Sequence, residues 1–241
     1  MEDHVYQQLY DLEDGHWWFR GRRAVLWALL RRAGLPERPR VLDAGCGTGR
    51  NLAEFGRLGT ARGVDPSAHA IDFCRRRGLG DVAEAGVESL PFEDGSFDLV
   101  LATDVLEHVP RDDVAVSELR RVAAPGALLV VTVPAYRWLW SQHDDSHHHL
   151  RRYSAPALRA RLADGGWRTV LLTYFNALLL PPIALVRLAA RRGAARRTDY
   201  ELTEGPLNRV LELPMRAEAA LIERGWRFPA GVSIGAVCTP R

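Results

Sequence analysis

An α/β fold built on a seven-stranded, largely parallel sheet flanked by helices is predicted by three observations. From Pro39 onward, short apolar runs alternate with helical stretches, the pattern of strands joined by crossover helices. The first run, Val41-Leu42-Asp43-Ala44, passes straight into Gly45-Cys46-Gly47-Thr48-Gly49 and then into a helical stretch. Asp65 closes the next apolar run 20 residues after Gly45, the place where doubly wound sheets grip a ribose hydroxyl. A chain of 241 residues accommodates one such domain with an appendage.

The elements follow in order. Residues 1–38 are expected to form an N-terminal helical cap, in which His16-Trp17-Trp18-Phe19 precedes Arg20, Arg22 and Arg23 and then the helical pattern Ala24-Val25-Leu26 to Leu29-Leu30. Residues 39–241 carry the sheet. Its candidate strands are 40–44, 61–65, 82–85, 97–102, 127–134, 168–175 and 232–239, each an apolar run bounded by turn residues. Helices are expected to start near Arg50, Ser67, Asp112 and Ala155, the last ending at Gly165-Gly166 as helix C-termini do. Too many residues separate the sixth and seventh strands for a tight connection, so a helical insertion is predicted over about 177–226. It opens with an apolar stretch from Ala177 to Val186, continues through Arg187, Arg191, Arg192, Arg196 and Arg197, and includes a second helix over about 207–224.

Composition removes several function classes. Hydrophobic residues make up 47% and charged residues 26%, ordinary for a globular chain and unlike disordered or fibrous ones. No apolar run approaches the length of a spanning helix, and the opening Met1-Glu2-Asp3-His4 does not resemble a signal peptide. A cytoplasmic location is therefore expected, with the inner membrane surface as the other possibility. Cys46, Cys74 and Cys238 are three, scattered and without a C-x-x-C pair, which disfavours a disulfide framework or a cysteine zinc site. All 32 basic residues are Arg, so Schiff-base and lysine-base chemistry is excluded. Residues 1–150 hold 17 Arg against 23 acids, whereas 151–241 hold 15 Arg against 7. That asymmetry hints at an anionic partner, though no nucleic-acid-binding module is visible and no nucleic acid is expected.

The glycine turn and Asp65 together predict a nucleoside-type cofactor. Arg50 stands where the dinucleotide fingerprint G-x-G-x-x-G needs its third glycine, which argues against a nicotinamide enzyme. The spacing G-x-G-x-G after Asp43 resembles motif I of the class I S-adenosylmethionine-dependent methyltransferases. The likeness continues through Gly63-Val64-Asp65-Pro66-Ser67, Ser89-Leu90-Pro91-Phe92, Ser96-Phe97-Asp98-Leu99-Val100, Glu107-His108-Val109 and Glu118-Leu119-Arg120-Arg121-Val122. It implies a Rossmann-like methyltransferase sheet and S-adenosylmethionine as cofactor. By that resemblance Asp43, Gly45, Cys46 and Gly47 line the methionine part, Asp65 holds the ribose hydroxyls, and Pro66 and Ser67 flank the adenine. Thr103 and Asp104 would face the sulfonium. The acidic residue that often meets the adenine amine is replaced here by Gly86, leaving Val87 or Glu88 to do so.

The acceptor side is expected in the loop after the fifth strand, where half of the eight histidines fall between His143 and His149. Three readings are open. Metal binding would use His143, Asp144, His147 and His149. An acid–base and anion-binding loop would use Asp144 or His149 as base, with Arg151, Arg152 and Tyr153 holding a phosphate or carboxylate. A solvated loop leading into the next helix is the third. The second is preferred, and no resident metal is expected. The tract also resembles a W-S-x-x-D-x-x-x-x-H-x-R-R-Y pattern of uncharacterised bacterial methyltransferases near polysaccharide and natural-product genes, which favours Trp140, Asp144, His149, Arg152 and Tyr153. The His16–Arg23 segment resembles the same subgroup, with Trp18 and Arg23 as substrate contacts, and His108 could sit near the methyl group.

The expected reaction is therefore methyl transfer to a small-molecule or lipid-linked acceptor, O-methylation ahead of C- or N-methylation. A cofactor-binding protein without turnover is the alternative. The 177–197 segment could make peripheral membrane contact or serve as a lid or homodimer helix.

Overall fold

The computed structural model describes residues 3–190 and 206–241. The order is α1 (Asp3–Leu12), α2 (Trp17–Ala33), β1 (Arg40–Ala44), α3 (Arg50–Phe55), β2 (Thr60–Asp65), α4 (Ala68–Arg76), β3 (Val82–Glu84) and β4 (Phe97–Thr103). Then come α5 (Asp112–Val122), β5 (Ala123–Pro134), α6 (Gln142–Ser146), α7 (Ala155–Asp164), β6 (Trp167–Phe175), α8 (Leu180–Ala190), α9 (Pro206–Glu223) and β7 (Ser233–Pro240). The seven strands form one sheet in the order β3-β2-β1-β4-β5-β7-β6, parallel except for β7, which is antiparallel to both neighbours.

Alternation along each central strand divides the core in two. Val41, Leu99, Leu101, Leu128, Val130 and Val237 point to one face, where α2 and α9 supply Val25, Leu26, Leu29, Leu30, Met215 and Ile222. Leu42, Ala44, Val100, Ala102, Leu129 and Val131 point to the other, against Val116 and Leu119 of α5 and Leu158 and Leu162 of α7. The N-terminal cap thus shares a core with the sheet and with the insertion. At the α2–α9 crossing, a Cβ on Gly21 would lie 2.7 Å from the Met215 Sδ, so glycine sets the approach of the two helices.

The appendage is two helices, α1 and α2, where the apolar pattern alone marks one. β5 begins at Ala123, four residues ahead of the expected Ala127, because Ala123 pairs with Phe97 across a register shift that absorbs Pro125 and Gly126. Of the insertion, Arg191, Arg192, Arg196 and Arg197 lie outside the described residues. No helix among the described residues is long and apolar enough to cross a membrane.

Strand order reverses between β1 and β4, and the crevice at the carboxyl ends of the strands flanking such a point is where open α/β sheets bind ligands. Here those ends are Ala44, Asp65, Thr103 and Pro134.

Candidate active site

The turn after β1 is shaped by glycine. Gly45, Gly47 and Gly49 have φ of +77°, +53° and +85°, and a Cβ on Gly45 would stand 2.5 Å from a Val105 methyl, so strain and a clash both oppose any side chain there. The Gly45 and Cys46 amides donate to the Val64 carbonyl at 2.8 Å each. This brings the turn over the end of β2, where Gly47 N–H donates to Asp65 Oδ2 at 2.9 Å and Ser67 N–H to Oδ1 at 3.0 Å. A carboxylate offers roughly four acceptor positions, so Asp65 keeps one free on each oxygen. Burial raises its carboxyl above the ordinary range despite the two amides.

Asp43 lies beneath this turn, 1% exposed, with no hydrogen-bond partner for either oxygen. Burial pushes its carboxyl up to about 7, only partly offset by the charge of Arg22 and the dipole of the Leu52 amide. Cys46 and Cys74 are buried with sulfurs 3.8 Å apart, and the Cys74 thiol donates to Gly47 O at 3.3 Å. Contact with Cys74 and burial hold the Cys46 thiol protonated, so Cys46 serves the turn by size and not as a thiolate.

At the end of β4, Thr103 Oγ1 accepts from Asn51 Nδ2 at 3.0 Å. Asp104 adopts a left-handed φ of +56° and accepts from Thr132 Oγ1 at 3.0 Å. Its second oxygen is ion-paired with Arg22 of α2. Arg23, one residue on and so about 100° around the helix, is buried away from the cleft, where desolvation lowers its guanidinium to about 10. The arginine that reaches the site is Arg22. In the turn after α1, Glu13 pairs with Thr48 and Arg77, and Asp14 pairs with Arg50 and Arg77, clasping the end of the first helix to the glycine turn.

The acceptor loop leaves and rejoins the sheet at one point. Tyr136 N–H donates to Tyr153 O at 2.8 Å and Tyr153 N–H to Pro134 O at 2.9 Å. Within the loop Asp144 caps α6, accepting from Ser141 N–H at 2.8 Å. It also receives Arg152 on both oxygens, at 2.7 and 3.0 Å, and His149 Nδ1 at 2.8 Å. These partners hold its carboxyl well below the ordinary range against a large desolvation. Asp144 is therefore a fixed anion that orients His149, and not the base; with Nδ1 bonded to Asp144, Nε2 is the ring nitrogen left for the cavity. Burial and the neighbouring histidines and Arg187 keep His143 neutral, and burial beside His149 and His147 lowers His108 to about 4.

These surfaces meet in one cavity of about 710 Å³. Gly45, Cys46, Gly47, Asp65, Pro66, Val87, Glu88, Thr103 and Asp104 line it, as do Trp18, His108, His143, His149 and Arg152. Four predicted residues of the acceptor loop do not, nor do Arg23 of α2 and Asp43 of β1. Tyr153 is buried, its hydroxyl donating to Asp112 at 2.7 Å. Arg151 turns outward to the same Asp112 at 2.9 Å and to Pro110 O at 3.0 Å. Trp140 donates to Asp145 at 2.9 Å, and Asp144 is sealed by Arg152. Their joint task is to pin the loop. Sequence patterns do not mark Arg22, Asn51 and Glu107 as lining residues, nor Leu179 and the α8 residues Ile183 and Val186 that close one wall. An apolar helical phase was the only signal for the last three, and buried polar groups give none.

Comparison with known proteins agrees with this geometry. Residues 42–131 match the family described as "Methyltransferase domain". The chain is 39% identical over 103 residues to a fatty-acid O-methyltransferase of Mycolicibacterium smegmatis, covering 40% of this chain and 37% of that protein. It is 30% identical over 178 residues to a trans-aconitate 2-methyltransferase of Deinococcus radiodurans, covering 68% of this chain and 62% of that protein. The chain thus spans between one third and two thirds of the length of these relatives. A solved geranyl diphosphate methyltransferase in complex with S-adenosylmethionine superposes with a TM-score of 0.60 at 16% identity, over 92% of this chain and 85% of the other. The fold is that of the Rossmann-like methyltransferases. The chemistry of the cleft fits S-adenosylmethionine: Asp65 keeps a free acceptor position on each oxygen for a ribose diol, and the unpartnered carboxylate of Asp43 lies buried beneath the glycine turn, behind the cavity lining.

Proposed function

We propose that this chain, which carries a methyltransferase domain over residues 42–131, transfers a methyl group from S-adenosylmethionine to an oxygen of a small-molecule acceptor with an apolar, lipid-like part. The carrying observation is the single cavity in which the glycine turn, the His149 face of the acceptor loop and the apolar wall of α8 meet. When bound, the cofactor supplies an electrophilic methyl on a sulfonium. The protein's share is positioning: Asp65 and the turn hold the nucleoside, Arg22 and Thr132 fix Asp104 beside it, and the Asp144–Arg152 pair fixes His149, which acts on the acceptor oxygen.

The apolar preference rests on α8. Leu179, just ahead of the helix, and Ile183 and Val186 within it line the cavity, while Val186 is also 62% exposed and Leu178 and Leu185 are 55% and 70% exposed. One helix thus offers apolar side chains to an acceptor within and to a lipid surface without, which supports a lipid-linked substrate presented at a membrane interface. Transfer of labelled methyl into a source-cell extract, followed by organic and aqueous partition, tests this. Label in the organic phase is expected, and label confined to the aqueous phase would refute the lipid reading. Binding of the cofactor without transfer to any acceptor would refute the enzyme.

Asp43 gives a pH signature. A carboxyl standing at about 7 is half protonated at neutral pH, and the cations of the cofactor favour its ionised form. Binding at pH 7 is expected to release about half a proton. Affinity should then fall as pH drops below about 7 and level off above it. Calorimetry in two buffers of unequal ionisation enthalpy measures the release, and Asp43→Asn should abolish the difference between buffers.

A further inference from the structure

We propose that Glu107, His108 and His149 form a binding site for one divalent transition-metal cation at the acceptor end of the cavity. One ligand atom from each lies within 4.8 Å of the others. Zinc-like ions sit about 2.0–2.2 Å from imidazole and carboxylate ligands, so a modest inward movement of the side chains would close them on a shared ion.

Three features argue for a ligand there and not for chance proximity. Glu107 is fully buried and neither of its oxygens has a hydrogen-bond partner, and its own amide dipole and the more distant charges of Arg22 and Arg152 offset that burial only in part. Such a carboxylate is costly unless a cation joins it. The nearby guanidinium charges are already matched, Arg152 by Asp144 and Arg22 by Asp104. His149 gives Nδ1 to buried Asp144 at 2.8 Å, and a carboxylate behind a histidine is the arrangement that fixes the tautomer and direction of a metal ligand. Finally, the loops carrying the ligands are stitched together: Leu150 N–H donates to Glu107 O at 2.7 Å, and the His108 and His149 rings lie edge-on with centroids 4.7 Å apart.

Two imidazoles and one carboxylate suit zinc, iron(II) and similar first-row ions and leave positions open. All three residues line the cavity, so an acceptor oxygen can occupy those positions. The inference deepens, and rests on, the reading of this cavity as an acceptor site. It selects acceptors with a hydroxyl or enol next to a second oxygen, and makes His149 act on the acceptor through the ion.

The test uses the untagged chain after chelator treatment, titrated with Co2+ and followed by visible absorption. One equivalent is expected to bind with a ligand-field band that Zn2+ displaces. Glu107→Gln and His149→Ala should each weaken binding at least tenfold, while cofactor affinity, measured in parallel, stays unchanged and reports an intact fold. Absence of Co2+ binding overturns the site. So does binding that survives Glu107→Gln but is lost in His143→Ala or His147→Ala, which would place the ion on the loop histidines. Label transfer that persists in chelator without bound metal would sink the metal site and leave the transferase reading standing. A site that binds Co2+ in a chain that transfers no label would do the reverse.

Discussion

Replacing Asp144 by Ala is expected to cost the fold about 3–5 kcal/mol, the loss typical of a buried ion pair cut on one side. The Arg152 side chain is 2% exposed, and without Asp144 its charge loses its carboxylate and stays desolvated, a neutral partner such as the Ala135 carbonyl at 3.0 Å being no substitute. The same change removes the cap of α6 and the Nδ1 partner of His149. Urea denaturation should show a lower midpoint at an unchanged slope. Pairing the change with Arg152→Met should recover much of the loss, because the stranded charge then goes as well. Turnover should remain depressed in the double variant, since His149 is still unguided. A single variant as stable as the parent would mean that the pair is neutral here and that the loop is held by its backbone bonds alone.

Asp65→Asn is expected to raise the dissociation constant for S-adenosylmethionine by about a hundredfold, since two hydrogen bonds to a charged acceptor, each worth about 1.5–3 kcal/mol, are weakened together. Asparagine offers one oxygen where two now serve the Gly47 and Ser67 amides, so the turn loosens too. Asp65→Ala should be worse, and the gap between the two variants separates ribose binding from turn support. Calorimetry gives both numbers, and unchanged affinity in either would remove Asp65 from the site.

Much of the scaffold is legible in the residues because strands buried on both faces read as apolar runs. Val41-Leu42, Leu99 to Ala102 and Leu128 to Val131 could hardly be anything else between turn residues. The cofactor end is equally legible, since positive φ and close approach demand glycine. The acceptor end is not. Asp144, His149, Arg151, Arg152 and Tyr153 stand in one tract, yet of these five only His149 and Arg152 line the cavity; the rest tie the loop to itself and to Asp112. Spacing along an irregular loop carries no periodicity from which direction can be read. Arg22 and Arg23 differ only in helical phase, and their neighbours, apolar on one side and basic on the other, do not set it. Glu107 follows an apolar pair in a strand-end turn, and the loop that reaches its carbonyl, through the Leu150 amide, lies more than forty residues away in the chain.

The antiparallel placement of β7 beside β6 has a bearing on how such a protein could change its substrate. Phe175 and Ser233 face each other in register, and Val232 N–H reaches back to Asn176 O at 3.4 Å. Everything between them, including the wall of the cavity supplied by α8, therefore departs from and returns to one spot on the sheet. A loop with fixed, adjoining ends can lengthen at small entropic cost, about 0.6 kcal/mol for each doubling. The stretch around α8 that walls the acceptor side is thus free to vary in length and sequence, while α9, which shares a core with α2, the strands and the cofactor turn stay as they are.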